Sequence, residues 1–217
     1  MVAGSKRRRR EEADPLPYPI LAEKLKTIDP RDSCLIAILY LSGRRINEVL
    51  HLTKKDLKIE NNRISFETFN LKDYRKTAQG EYTIKRYVKR RKYKGRKSEA
   101  YEGLLYYRKI RPHFRTDSDS GERLTFFIMH RLGYLSEKDY LFKSYRANKP
   151  ISYSRAYQIF RNHFPNAWLH ILRHERFTEV FRVYKDDLLE AHRFTFHKRM
   201  ESDLPYIRKL REETERI

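Results

Sequence analysis

The chain has 217 residues, a formal net charge of +20 and a pI of about 10.0. This length suits one domain of ordinary size, and 13% aromatic residues can fill a core although 36% of the residues are charged. Such an excess of Lys and Arg favours a polyanionic partner, because each cation placed on a phosphate releases counterions. Nucleic acid is therefore favoured over an anionic membrane surface or an acidic protein.

Neither a membrane span nor a secretory signal is visible. No apolar run approaches ~18 residues, and no apolar stretch follows the basic N-terminus. The single Cys34 cannot form an internal disulfide and lies in an apolar run, so it is predicted to be a buried hydrophobic residue rather than a nucleophile. We expect an intracellular protein, either cytoplasmic (nucleoid) or virus-encoded.

The N-terminal segment 1–16 is predicted to be a disordered basic arm. It contains five adjacent cations, Lys6 to Arg10, and lacks an apolar period. These cations either follow a DNA backbone or form a solvated tail. Residues 17–217 are expected to form one domain.

Helices dominate the expected domain. After a short amphipathic helix at 20–25, Asp29-Pro30 provides a cap and a first helical residue for a helix at 31–42, which Gly43 ends. This helix is apolar nearly all round and should be central. Further helices are predicted at 44–51, 99–110, 121–134, 152–163, 168–184, 186–193 and 203–214.

A small antiparallel sheet should interrupt these helices. After Asp56 the apolar period changes to two, which predicts a strand from Ile64 to Leu71 that pairs with 82–86 across a turn containing Gly80. A basic stretch at 85–97 follows, and 116–121 is expected to be a flexible surface loop. The predicted fold class is mainly α with a small antiparallel β-sheet.

Three short motifs follow one another along the chain. The first, GRRINEVLHL at 43–52, places Arg45 and Glu48 on one helix face because they are three residues apart. The second is HILRH at 170–174. The third is a histidine followed nine residues later by a tyrosine, His197 and Tyr206. Each alone has an ordinary explanation: a surface ion pair, a basic helix, and one tyrosine among sixteen.

Together the motifs resemble the tyrosine recombinase (phage integrase) family, whose pattern is Arg, Lys, His-x-x-Arg, His or Trp, then Tyr. Arg45 stands at the first arginine position, and 170–174 matches the His-x-Leu-Arg-His box without gaps. The spacings from Arg173 to His197 and to Tyr206 are also within the family's habit. The resemblance covers roughly residues 20–210 and implies the fold of this family's catalytic domain.

The resemblance also implies a reaction, in which DNA strands are cleaved and rejoined through a covalent 3′-phosphotyrosine. Tyr206 would be the nucleophile. Arg45 and Arg173 would stabilise the charge that develops on the phosphate, because guanidiniums are always protonated and fork-shaped. His197 would add a donor to the same oxygens, and His170 would assist proton transfer at the nucleophile.

In the family a hairpin lysine protonates the leaving 5′ oxygen, and this chain offers Lys72 and Lys76. Lys72 is preferred because it ends the predicted strand. Its separation in sequence from Asp56, which closes the first motif, is also nearer to the separation usual in the family. Glu48 would orient the arginines rather than react. No cofactor or metal is expected, since there is no second cysteine and the eight histidines have no clustered carboxylates.

Several positions depart from the family pattern. Arg44 occupies a commonly aliphatic position, Thr195-Phe196 replaces a common Leu-Gly before His197, and Asp203 replaces a common threonine. These departures leave His192 as an alternative to His197.

The resemblance implies double-stranded DNA as partner and a homotetramer on that DNA. About 19 residues precede the first helix, too few for the family's N-terminal core-binding domain, so we expect a fragment, a minimal enzyme or one that clamps DNA differently. The alternatives are a catalytically silent DNA-binding module derived from an integrase, a type IB topoisomerase-like strand transferase, and an RNA-binding or ribosome-associated basic protein.

Overall fold

The computed structural model describes residues 15–69, 109–197 and 200–214, with short β segments at 74–76, 82–84, 87–89, 92–93, 96–97 and 101–103. Side chains are described within 15–68, 110–147, 149–197 and 200–211.

Helices form most of the described part of the chain. In order they are α1 (Tyr18–Leu25), α2 (Pro30–Ser42), α3 (Ile46–Val49), α4 (Asp119–Leu132), α5 (Tyr153–His163), α6 (Ile171–Val183), α7 (Leu188–Thr195) and α8 (Leu204–Thr214).

The central helix is α2, as predicted. The Asp29 side chain accepts a hydrogen bond from the backbone N–H of Arg31 at 2.9 Å and so caps the helix, with Pro30 as its first residue. All of its residues from Arg31 to Ser42 are buried, and α2 packs against α4 and α6. Helix α2 ends at Gly43, whose left-handed backbone turns the chain directly into α3.

Short antiparallel strands complete the fold. They are β1 (Leu57–Glu60), β2 (Arg63–Phe66), β3 (Thr68–Phe69), β4 (Tyr74–Lys76), β5 (Tyr82–Ile84), β6 (Tyr87–Lys89), β7 (Lys92–Tyr93), β8 (Arg96–Lys97), β9 (Tyr101–Gly103), β10 (Lys109–Ile110), β11 (His113–Arg115), β12 (Lys143–Ser144) and β13 (Ala147–Pro150). The largest sheet has the order β1-β2-β11. The predicted fold class, mainly α with a small antiparallel sheet, is confirmed.

The predicted hairpin partner was wrong. Strand β2 ends at Phe66 and pairs with β1 and β11, whereas the Tyr82–Ile84 strand pairs with β4. The β1–β2 turn consists of Asn61 and Asn62, both with positive φ, as tight hairpin turns require. Alternation of apolar residues identifies a strand but not its partner, and the Asn-Asn turn was the local signal that was missed.

Two other predictions were also wrong. The described residues of the predicted 99–110 helix, 101–103 and 109–110, lie in strands. The expected loop at 116–121 is a loop only as far as Ser118, and α4 begins at Asp119, because the Ser118 side chain accepts from the backbone N–H of Gly121 at 3.1 Å and Ser120 is fully buried. The run of Ser and Asp residues was a helix cap rather than a loop signal.

The buried residues form a large core and a smaller cluster. The large core surrounds α2 and includes Cys34, whose thiol pKa is raised by burial to about 12, so Cys34 is an inert core residue as predicted. The smaller cluster, here called the α6–α8 cluster, consists of Phe177, Val180, Phe181, Ala191 and Tyr206. In the part of the chain that the structure describes, no helix is both long and apolar enough to cross a membrane.

Candidate active site

Arg45 is fixed at the start of α3 by a buried carboxylate. Its Nη1 donates to Glu48 Oε1 at 3.2 Å, and its backbone N–H donates to Glu48 Oε2 at 3.1 Å. The Glu48 side chain is fully buried, whereas that of Arg45 is 39% exposed. The pair is therefore not an ordinary surface ion pair. Glu48 holds the guanidinium in place while leaving it accessible.

Arg173 approaches the same region from α6. Its Nη1 donates to the carbonyl of Gly43, and its guanidinium lies 4.3 Å from the ring centre of Phe177. Burial lowers the pKa of Arg173 to about 10, with a smaller contribution from the charge on Arg45. The guanidinium therefore remains charged at neutral pH, and the two arginines repel each other until an anion lies between them.

A pocket of about 340 Å³ opens where α3, α5 and α6 meet. Its basic wall consists of Arg44, Arg45, His170 and Arg173. Aromatic and other side chains line the rest, namely Leu39, Ile46, Asn47, Tyr153, Tyr157, Trp168, Leu169 and Leu172. An opening with several guanidiniums and no carboxylate in its described lining can bind an anion with several oxygens, such as a phosphate.

His197 lies beside this basic wall. Its Nε2 is 3.0 Å from Nη2 of Arg173, and its Nδ1 is 2.7 Å from Oδ1 of Asp203. The other oxygen of Asp203 is hydrogen-bonded to Nδ1 of His192. His197, not His192, contacts Arg173, which favours His197 for the position that the sequence left open between them.

Asp203 is a buried carboxylate that joins these two histidines. Burial alone would raise the pKa of Asp203, but hydrogen bonds donated by His197 and His192 hold it below its ordinary value of 3.8. Its backbone carbonyl accepts from the N–H of Tyr206 at 3.0 Å and begins α8. Asp203 thus connects the turn that carries His197 to helix α8, which carries Tyr206.

Tyr206 lies in the α6–α8 cluster and is only 5% exposed. Its ring stacks on Phe181 at 5.8 Å and meets the rings of Phe177 and His174 at 5.4 and 5.6 Å. Burial raises the pKa of Tyr206 to about 12, although the charge on Arg173 acts in the opposite direction. The ring of Tyr206 is therefore packed mainly among apolar side chains, and Tyr206 is not among the residues that line the pocket.

Aromatic contacts join the pocket to this cluster. The ring of His170 lies 5.3 Å from that of Trp168 and 4.9 Å from that of His174, which in turn contacts Tyr206. Exposed His170 therefore lies at the pocket end of this row of rings and Tyr206 at the buried end.

The sequence analysis noted Arg44 only as a departure from the family pattern and assigned it no role. It is 3% exposed, and its Nη2 donates to the backbone carbonyls of Thr195 at 3.0 Å and Phe194 at 3.3 Å. Phe196 adopts a left-handed backbone (φ 53°), where glycine would be unstrained, and its ring lies 4.7 Å from the Arg44 guanidinium. Burial lowers the pKa of Arg44 to about 9. Two departures from the family pattern thus meet at the turn before His197.

The structure brings five of the six predicted site residues into one region: Arg45, His170, Arg173, His197 and Tyr206. Lys72 lies outside the described residues, and the side chain of Lys76, in β4, lies outside them as well. The described residues include no group of three or more His, Cys, Asp or Glu side chains placed to hold a metal ion.

Comparison by sequence and by structure gives different results. The sequence matches no family model and no curated protein. The structure is similar to the XerH site-specific recombinase bound to palindromic difH substrate in a post-cleavage complex, with a TM-score of 0.57, 18% identity, and coverage of 92% of this chain and 50% of that one.

Two further solved structures are similar. For the XerA recombinase the TM-score is 0.54, with 18% identity over 92% of this chain and 62% of that one. For the Tn1549 transposon integrase in complex with a circular intermediate DNA, the TM-score is 0.55, with 16% identity over 96% of this chain and 67% of that one. The present chain thus spans about half of the XerH chain. Its fold is that of a tyrosine recombinase catalytic domain.

Proposed function

We propose that this protein is a site-specific DNA recombinase or integrase that cleaves and rejoins strands through a covalent 3′-phosphotyrosine. The observation that supports this best is the placement of Arg45 and Arg173 at one pocket, with His197 against Arg173. Their sequence order is that of the family pattern, and their positions come from three separate elements of the fold. The similar solved structures include recombinases and an integrase with DNA, which supports DNA as the partner.

In this mechanism a backbone phosphate enters the pocket between the two arginines. Charge builds on its nonbridging oxygens as the nucleophile attacks, and preorganised donors are most effective at the oxygens where charge develops. Glu48 keeps Arg45 oriented without an energetic cost at the moment of reaction, because the pair already exists. His197 serves the same oxygens, and His170 assists proton transfer.

Tyr206 is the proposed nucleophile. Its oxygen attacks phosphorus, the bond to the 5′ oxygen breaks, and the enzyme holds the 3′ phosphate as an ester, so rejoining needs no ATP. Because the ring of Tyr206 packs beside Phe177 and Phe181, we expect α8 to shift before attack. The shift would bring the phenol towards Arg173, whose charge already favours the phenolate.

Lys72 is the proposed general acid that protonates the leaving 5′ oxygen, with Lys76 as the alternative. Replacing that oxygen with sulfur removes the need for a proton, since a thiolate leaves unaided. The sulfur substrate should therefore restore cleavage by Lys72→Ala. Rescue of Lys76→Ala without rescue of Lys72→Ala would reassign the acid.

Recombination also requires several strands to be exchanged, so we propose that the chain acts as a homotetramer on double-stranded DNA. Sedimentation with and without a duplex carrying the target site tests this. A complex with a single protomer on each duplex would contradict the proposal.

The decisive experiment is covalent capture on a nicked suicide duplex, followed by a denaturing gel. Wild-type protein should form an adduct, and Tyr206→Phe should bind the duplex equally but form none. Tyr184→Phe is the matched control, because Tyr184 is an exposed tyrosine at the end of α6. An adduct that persists in Tyr206→Phe would exclude Tyr206 as nucleophile.

The second candidate is a DNA-binding module that does not cleave. The burial of Tyr206 supports it, because a residue that is only 5% exposed is packed as a core side chain is. Absence of an adduct from the wild-type protein on suicide duplexes, with DNA binding intact, would favour this candidate.

A further inference from the structure

The unusual residue of this site is Asp203. Its side chain is 1% exposed, and its two oxygens each face an imidazole Nδ1, from His197 and from His192. A buried carboxylate needs partners that offset the loss of hydration, and here two histidines provide them. A threonine, which is common at this position in the family pattern, has one uncharged hydroxyl oxygen. It could not present a charged acceptor to each of the two rings.

This contact determines where the proton of His197 lies. The Asp203 carboxylate can only accept, so Nδ1 of His197 carries the hydrogen. Arg173 can only donate, so Nε2 of His197 presents its lone pair to Nη2. The same reasoning places the hydrogen of His192 on Nδ1.

We infer that Asp203 is a positioning residue that fixes the ring and the tautomer of His197 for strand cleavage. The inference rests on the proposed function. To donate from Nε2 to a phosphate oxygen, His197 needs a second proton, taken from solvent and returned after the phosphate leaves. The ring of His197 contacts the charged side chains of Arg173 on α6 and of Asp203 before α8, and His192 on α7 shares the Asp203 carboxylate.

These groups act in opposite directions on that second proton. Arg173 opposes it while the pocket is empty, because both groups would then present hydrogens to each other. A phosphate oxygen between them accepts from both, and the Asp203 carboxylate stabilises the resulting imidazolium from the other side. Asp203 thus holds the ring in the orientation from which Nε2 faces the bound phosphate.

The first test reads the tautomers directly. Nitrogen-15 NMR of histidine-labelled protein should show a hydrogen on Nδ1 of both His197 and His192 and none on Nε2 of His197, with His197→Asn and His192→Asn giving the assignments. In Asp203→Asn the amide offers one acceptor and one donor, so one of the two rings must change tautomer. A hydrogen on Nε2 of His197 in the wild type, or unchanged spectra in Asp203→Asn, would overturn the inference.

The second test measures cleavage. Asp203→Asn should lower the single-turnover cleavage rate about 10²-fold, the loss typical of one misdirected donor, while DNA affinity stays within about twofold. His192→Asn should have a much smaller effect, because His192 does not face Arg173.

Asp117→Asn is the matched control for loss of a carboxylate, since Asp117 is a surface residue paired with Arg115. Equal cleavage rates for wild type and Asp203→Asn would reject the positioning role. Equal losses in His192→Asn and Asp203→Asn would mean that the cluster is only structural, which also rejects it. Failure of the proposed function would be seen separately, as an absence of cleavage by the wild type.

Discussion

Individual charges in this site have more than one partner. Arg173 binds the Gly43 carbonyl, touches His197 and repels Arg45, so it organises the pocket as well as facing it. Arg45 is held by Glu48 and keeps a partly exposed guanidinium. The two arginines should therefore respond differently to mutation, although both are proposed to stabilise the same transition state.

Replacing either arginine by alanine should cost ~10²–10³ in cleavage rate and much less in DNA affinity, because their contacts strengthen as charge develops. Arg173→Ala should in addition lower the free energy of unfolding by ~1–3 kcal/mol, since the Gly43 carbonyl loses its buried donor. Single-turnover cleavage, equilibrium binding and urea unfolding measure the three effects. Equal losses of rate and affinity would mean that the arginines only hold the DNA backbone.

Tyr206 gives a prediction at high pH. Its pKa in the fold is about 12, against an ordinary value of 10.0, so the unfolded chain ionises first as pH rises. The stability from keeping the phenol neutral is complete below pH 10 and is lost towards pH 12, by at most ~1.4 kcal/mol per pH unit. Above about pH 10, the free energy of unfolding of Tyr206→Phe, measured in urea, should therefore increase relative to that of the wild type. A difference that is constant from about pH 8 to about pH 11 would contradict this.

At the scale of elements, the junction between α2 and α3 determines where Arg45 and Arg173 meet. Gly43 turns the chain with φ 58°, and its carbonyl receives the guanidinium of Arg173. A Cβ at this position would lie 2.5 Å from the ring of Phe177. Position 43 therefore requires glycine for two reasons, the positive backbone φ and the close approach of α6.

Gly43→Ala should destabilise the fold by ~1–3 kcal/mol and reduce cleavage, because the ring of Phe177 and with it α6 must move. Gly133→Ala, at the end of α4, is the matched control: its φ is −60° and the nearest atom to an added Cβ lies 3.4 Å away. That variant should be neutral or slightly stabilising. Thermal unfolding of both proteins separates backbone effects at Gly43 from a general cost of losing glycine.

Elements with a local signal could be predicted from the sequence. Asp29-Pro30 and Gly43 indicated the bounds of α2 to within a residue, because caps act over one turn. The partners of β2 and the roles of Arg44 and Asp203 could not be predicted, because they depend on contacts between residues far apart in sequence. Both residues were visible only as departures from a family pattern, and both proved to contact the His197 turn or ring.

At the scale of the molecule, charge is the dominant property. The net charge is +20, and the segments Lys6–Arg10 and 85–97 contribute five and nine cations. The side chains of both segments lie outside the described residues. Contacts between cations and DNA phosphates raise affinity, and we expect these segments to supply such contacts.

Deleting residues 1–12 should make the dependence of log affinity on log salt less steep, by about 0.9 for each phosphate that is no longer neutralised. Neutralising four cations within 85–97 should reduce the slope further, with little change in sequence preference. Lys24→Gln with Lys26→Gln, both exposed at the C-terminal end of α1, controls for a general loss of charge. Unchanged slopes in both segment variants would place the phosphate-binding cations elsewhere.

Under the proposed function, the packing of Tyr206 in the α6–α8 cluster would affect how often the protein cuts DNA. If only a small fraction of bound molecules has the tyrosine released, the observed cleavage rate is the intrinsic rate multiplied by that fraction. Occupying a DNA site and breaking it then become separate events, and a molecule can sample many sequences while nicking few of them. Selectivity would arise wherever a particular duplex stabilises the released form, even when other duplexes bind as tightly.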